Sequence, residues 1–307
     1  MAEGHPTVVP VPGPGAEDVL VAPDGSVLTG TEDGAVHRIS PDLQRVDRVA
    51  HTGGRPLGLE WLPDGDLLVC DAERGLLRVD PVRGRVTELV REVDGVPMRF
   101  CNNAAVAADG TIWFSDSSTR YPITRWKDDF VQATRTGRLL RLAPGGTRAE
   151  VVLTGLAFAN GVALAADERF VTVAETGART VVRYWISGDR AGQRDHLATD
   201  LPGYPDNTST GTDGLVWVSV ASPTDPVVER LQRAPQPIRR AATLLPDALQ
   251  PAPQRTVRAL ALDAGGAVVH DVALDAHHFH MVTGVREHHG RLWFGSLHEP
   301  AVAFWDL

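Results

Sequence analysis

A chain of 307 residues, 43% apolar and 22% charged, has ample material for a core and lacks the composition of a disordered polypeptide. Its formal charge of -9 argues against nucleic-acid partners, which are held by a basic stripe that displaces condensed counterions. No run approaches the roughly 20 apolar residues that cross a bilayer, Met1 to Gly15 lacks the basic-then-apolar order of a secretory signal, and Cys70 and Cys101 are too few for a disulfide framework. The expectation is a cytoplasmic protein with no membrane partner.

In chain order, residues 1–14 read as flexible. Thereafter one phrase recurs, a tight turn followed by a short apolar run: Asp24-Gly25, Asp64-Gly65, Asp109-Gly110, Asp167-Glu168, Asp213-Gly214 and His289-Gly290. Asp-Gly between extended segments predicts a hairpin, since both central residues of a type I′ turn need positive φ. A second alternating strand follows most copies, as in Leu76-Leu77-Arg78-Val79 and Val181-Val182-Arg183-Tyr184. Copies recur every 40 to 75 residues or so, the period of propeller blades with uneven loops. Six copies predict one all-β domain over residues 1–307, a six-bladed β-propeller of four-stranded antiparallel blades. A β-sandwich would explain neither the repetition nor the length.

Two stretches break the rhythm. Tyr121 to Thr136 reads as a long loop at the mouth of the channel. Residues 225–255 read as a short helical lid, with Val228, Leu231, Ile238 and Leu245 on one face and Pro235 and Pro237 dividing the helix.

Propellers bind ligands where their inner strands converge. Four polar clusters, at Glu17-Asp18, Asn102-Asn103, Asn160-Gly161 and Asp206-Asn207, each precede a turn copy by about seven residues, and equivalent positions on rotationally related blades face one axis. Singly, each is an ordinary turn cap. Together they offer carboxylate and carboxamide oxygens, the hard ligands that suit one Ca²⁺ rather than zinc.

The segments Phe158-Ala159-Asn160-Gly161-Val162-Ala163-Leu164, Val173-Ala174-Glu175-Thr176, Arg183-Tyr184-Trp185 and Leu201-Pro202-Gly203-Tyr204-Pro205-Asp206-Asn207 resemble the signature region of strictosidine-synthase-like proteins. Flanking similarity at Gly54 to Gly58, Asp71 to Leu76 and Val282 to His288 extends the resemblance over nearly the whole chain. It implies a six-bladed propeller akin to gluconolactonases and paraoxonases, several of which are calcium-dependent hydrolases. By motif, Glu17, Asn160 and Asp206 match the metal ligands, and Asn102 and Asn207 match positions that ligate metal or contact substrate. Asn103 stands where relatives often have Asp. Thr283 occupies the place of the glutamate that serves as base in the plant synthases, and Glu287 aligns with a non-catalytic acid, so synthase activity is not expected.

The resulting expectation is calcium-dependent hydrolysis of a lactone or ester of a small molecule. The cation polarises the carbonyl and Asp206 acts as base or nucleophile, while Asn102, Asn103, Asn207, His280 and Thr283 surround the substrate. His277, His278 and His280 also read as loop histidines, with alternation placing His278 and His280 on one face. Glu175 and Arg183 read as an outer-strand salt bridge. Two alternatives are a carbon-carbon bond-forming or cyclising enzyme and a non-catalytic ligand-binding propeller. Substrate identity and oligomeric state are not written in these residues.

Overall fold

The computed structural model describes residues 4–245 and 250–307. Six four-stranded antiparallel sheets follow one another around a central axis. Their inner strands are Leu20–Val21, Pro56–Trp61, Cys101–Val106, Ala159–Leu164, Gly203–Thr210 and Val282–His288. The six-bladed, four-stranded propeller read from the repeated phrase is therefore the fold.

Each copy of the phrase joins the inner strand of a blade to its second strand. The turn chemistry differs from the expected type I′. In the first blade Gly25 N–H bonds to Ala22 O (2.9 Å) and Ala22 N–H to Ser26 O (2.8 Å), and only Gly25 has positive φ, +82°. This is a three-residue loop, a type I turn closed by one left-handed residue. Only the last copy has positive φ at both central residues, His289 and Gly290, between the paired His288 and Arg291.

Strands alternate, so each blade presents one face to the blade before it and one to the blade after. Among the described residues the core is accordingly divided into six apolar clusters, one at each seam, with two smaller ones around Phe100 with Phe158 and Phe130 with Tyr204. Leu68, Cys70 and Leu76 of blade two meet Cys101, Phe114 and Leu140 of blade three, and Trp217 and Ala259 of blade five meet Val285, Leu292 and Phe294 of blade six. Both cysteines are free thiols buried in one such seam.

The chain start, expected to be flexible through residue 14, instead supplies a strand. Thr7–Pro10 pairs antiparallel with Phe304–Ala301 and completes blade six. Unpaired amide groups along that edge would otherwise face solvent, and Val9, buried against Val302 and Trp293, gives the segment a reason to dock.

Among the described residues, helix is confined to the two insertions. The stretch expected as a long loop holds a 3₁₀ turn, Ile123–Arg125, and helix α1, Trp126–Gln132. In the second insertion Asp225 caps α2, Pro226–Arg233, through bonds from Val227 N–H (2.7 Å) and Val228 N–H (3.3 Å). A break at Ala234–Pro235 precedes α3, Gln236–Ala242. The division near Pro235 follows the expectation, but the shared apolar face does not: Val228 is buried while Ile238 and Leu245 are exposed. Residues 246–249 of the insertion lie outside the described residues. No helix among the described residues is long and apolar enough to cross a membrane.

Candidate functional site

The inner strands carry a common irregularity. Between Pro56 and Leu59, Cys101 and Ala104, Ala159 and Val162, Pro205 and Thr208, and Val282 and Val285, each inner strand has one residue more than its partner strand. These are β-bulges, which bend a strand and re-aim its side chains. In blade one, whose inner strand is shorter, Glu17 N–H pairs with Gly30 O (3.3 Å) at the corresponding place. The first bulge residues form a ring: Glu17, Leu57, Asn102, Asn160, Asp206 and Thr283, all lining one central pocket.

The second bulge residues alternate between a polar side chain and glycine: Asp18, Gly58, Asn103, Gly161, Asn207 and Gly284. A Cβ on Gly161 would lie 2.0 Å from Thr208 N, and one on Gly58 2.7 Å from Asn102 O, so neighbouring blades close on bare backbone there. The polar members reach across the seams. Asp18 Oδ2 accepts from Leu59 N–H (2.9 Å) and Asn103 Oδ1 from Val162 N–H (2.8 Å). Asn207 breaks the pattern by donating through Nδ2 to both oxygens of Glu17, at 3.2 and 3.3 Å.

The donor set has the chemistry of a hard-cation site. Asn102 donates through Nδ2 to Ser117 Oγ (2.9 Å) and Asn160 to Thr176 Oγ1 (3.2 Å). With Asn207 tied to Glu17, the Oδ1 atoms of all three amides are buried without a hydrogen-bond partner. One such acceptor costs on the order of 1–3 kcal/mol, and three around one axis call for a common positive partner. The carboxylates state the same demand. Burial pushes Glu17 well above its usual range, and the charges of Asp18 and Asp206 add to it. Burial likewise pushes Asp206 up to about 7, against hydrogen bonds from Asn160 and the Asn207 backbone. A divalent cation would reverse both effects. Among the described residues no group of three His, Cys, Asp or Glu side chains gathers at metal-binding spacing, so the amide oxygens are needed to complete a shell. Glu17, Asn102, Asn160, Asp206 and Asn207 fit Ca²⁺ as oxygen ligands.

The remaining expected residues separate. Thr283 lines the pocket, its hydroxyl donating to Glu17 O (2.9 Å). Asn103 stitches blades three and four and does not line the pocket. His280 is turned away toward Glu299 and Arg255. His277 and His278 lie on an exposed bend rather than a strand, so alternation does not apply. Glu175 is not Arg183's partner: Arg183 pairs with Asp195 (2.8 Å), while Glu175 accepts from Ala157 N–H (2.8 Å) and fixes the turn into Phe158.

Sequence reasoning missed the walls. Above the polar floor the pocket is lined by Leu57, Phe100, Ile123, Trp126, Phe130 and Phe158, and by Val228 of α2. Phe130 stacks edge-on against Tyr204 (4.9 Å) and Phe100 against Phe158 (5.3 Å). Helix α1 is fastened to the second insertion by Gln232 Nε2 to Phe130 O (3.0 Å) and Arg239 to Gln132 O (2.5 Å). The two insertions thus make one roof, legible beforehand only in the aromatic content of Tyr121 to Thr136. Free space beneath it is about 90 Å³, below the roughly 300–1,000 Å³ of an ordinary ligand site.

Comparison with known proteins agrees with this architecture. The strictosidine synthase family model matches residues 102–189. Strictosidine synthase-like 10 of Arabidopsis thaliana is 34% identical over 273 residues, covering 84% of this chain and 71% of that protein. Among solved structures, a gluconolactonase from Xanthomonas campestris superposes with a TM-score of 0.71 at 17% identity, over 98% of this chain and 88% of that one. The calcium-binding protein regucalcin from Agrobacterium tumefaciens gives 0.68 at 13% identity, over 99% and 95%. These two share the fold. Taken with the bulge ring and the signature segments, the sequence identity shows that this chain belongs to the strictosidine synthase-like family.

Proposed function

We propose that this propeller is a calcium-dependent hydrolase of a small-molecule lactone or ester with a largely apolar body. The observation that carries this reading is the convergence of the partnerless Asn102 and Asn160 amide oxygens and two desolvated carboxylates on the floor of an apolar pocket, with the partnerless amide oxygen of Asn207, whose Nδ2 is bonded to Glu17, just behind it. Glu17, Asn160 and Asp206, with Asn102 and Asn207, would hold the cation. When bound, it supplies a Lewis acid for the carbonyl oxygen.

Asp206 is the base. It reaches the pocket from the fifth bulge beside Asn160 and the Asn207 backbone, and in ionised form takes a proton from the attacking water. Glu17, clamped by Asn207, holds its position across the floor. The aromatic walls bind the acyl or aryl part and keep other water away. Thr283 offers no base, since a threonine hydroxyl does not ionise near neutrality and this one donates to Glu17 O.

The fold shared with a gluconolactonase supports a lactone-handling propeller. The test is purified protein against a panel of lactones and aryl esters, with and without chelator. Turnover that disappears with chelator and returns with Ca²⁺ is the expected result. If no member of a broad panel turns over while chelation only lowers the melting temperature, the cation is structural and the hydrolase reading fails.

A further inference from the structure

Next to the central pocket lies a second recess of about 570 Å³. Phe130 and Phe158 line both, forming a shared wall. The second space is chemically unlike the first. Four arginines line it, Arg135, Arg179, Arg233 and Arg239, Arg179 also donating to Leu201 O (2.7 Å), together with Asp129, Asp200 and Glu229.

Those acids are largely engaged. Glu229 is divided between Arg179 and Arg233, each at 3.4 Å, and accepts from the Tyr204 hydroxyl (3.3 Å). Buried Asp129 accepts the hydroxyls of Ser118 and Thr134, each at 2.5 Å. Asp200 is exposed. The arginines are less well matched. Among the described residues Arg135 has no hydrogen-bond or ionic partner for its side chain, and the buried Nε of Arg239 has no acceptor. Among the described residues, four cations against three acids leave one positive charge in excess, suited to a monoanion.

The backbone around this recess is also strained. Of the ten non-glycine residues with positive φ among those described, five line it: Ala133, Arg135, Phe158, Arg179 and Asp200. Such conformations persist where the surrounding structure over-determines them, and they cluster at ligand sites. Phe158 is the telling case. At φ +63° its backbone is held by Glu175 through Ala157 N–H, which sets the ring between the two spaces.

We infer that the recess is an anion subsite that takes a carboxylate whose apolar body occupies the central pocket, across the Phe130–Phe158 wall. The guanidinium fork matches the planar, two-oxygen carboxylate. The inference rests on the hydrolase reading only for the source of that group, which is either borne by the substrate or released by hydrolysis.

The test is calorimetric titration with 4-phenylbutyrate and its neutral amide, in chelator so that no cation can hold the acid. The acid should bind about tenfold more tightly than the amide, the preference of one charge-assisted site, and Arg135→Gln and Arg239→Gln should each reduce it. Arg135 is exposed, so Arg135→Gln keeps the test valid even if Arg239→Gln is unstable. Equal binding of acid and amide, or a preference that survives both substitutions, would overturn the subsite. A preference that appears only with Ca²⁺ would also overturn it, because the carboxylate then sits on the cation. Binding is read without turnover, so failure here and failure of the hydrolase reading are distinct. Two kinetic arms identify the source. Faster turnover of an ester bearing a distal carboxylate than of its methyl-capped analogue assigns the group to substrate. Inhibition by the released acid, relieved by Arg135→Gln, assigns it to product.

Discussion

Replacing Asp206 by asparagine separates the cost of the empty site from the benefit of the filled one. Without a cation, Asp206 titrates near 7 instead of 3.8 because of burial. Between those pH values the folded chain keeps a proton that the unfolded chain has released, so stability falls as pH rises through the window and levels off above it. A rise of about three pH units has a ceiling of about 4 kcal/mol, and relaxation around a buried charge leaves about 1–2 kcal/mol of that. In chelator at pH 8, Asp206→Asn should therefore melt above the wild type by about 2–4 °C, at about 2 °C per kcal/mol for a chain of this size. Calcium at a hundredfold excess over its Kd should stabilise the wild type by about 2.7 kcal/mol, or about 5 °C, and the variant far less. At pH 4 the difference in chelator should vanish. Differential scanning fluorimetry in four buffers reads all of this. A variant that melts below wild type in chelator at pH 8 would refute the assigned electrostatics, and equal stabilisation of both by calcium would remove Asp206 from the ligand set.

Three further outcomes follow from the same geometry. Asn207→Ala, which frees Glu17, should weaken calcium about 10–100-fold in a direct titration, whereas Asn103→Ala should leave calcium affinity unchanged and cost about 1–3 kcal/mol of stability by stranding Val162 N–H. Phe130→Ala should cost about 3 kcal/mol through loss of the Tyr204 and Val228 contacts, and should raise kcat/KM for bulkier esters relative to small ones by opening the roof. Deleting residues 1–10 should expose the edge of blade six and lower the melting temperature even with calcium saturating, as measured by the same fluorimetric scan.

The relation between sequence and site is visible in individual positions. Glu17, Asn102, Asn160 and Asp206 were identifiable because a fixed offset from a turn becomes, in a rotationally repeated fold, a fixed direction toward the axis. The same offset runs through Leu57, and Thr283, six residues before the shorter turn at His289-Gly290, completes the ring. The offset does not reveal what a bulge does to the next residue. Asp18, Asn103 and Asn207 occupy equivalent second positions, yet the first two cross a seam and only Asn207 turns to Glu17. His280 was misread because proximity to the last inner strand says nothing about side-chain direction on a bend.

By itself, the sequence determined the blade count and the antiparallel hairpins within blades, and pointed to the oxygen character of the axis, because turn position and alternation are local and the repeat multiplies them. Closure of blade six by Thr7–Pro10, the joining of two insertions more than 90 residues apart into one roof, and the arginine recess behind Phe130 and Phe158 were decided only in three dimensions. Each depends on contacts between segments remote in the chain, where no local pattern carries information about the partner. The floor of the site is therefore written in a repeat, and its walls are written in the packing.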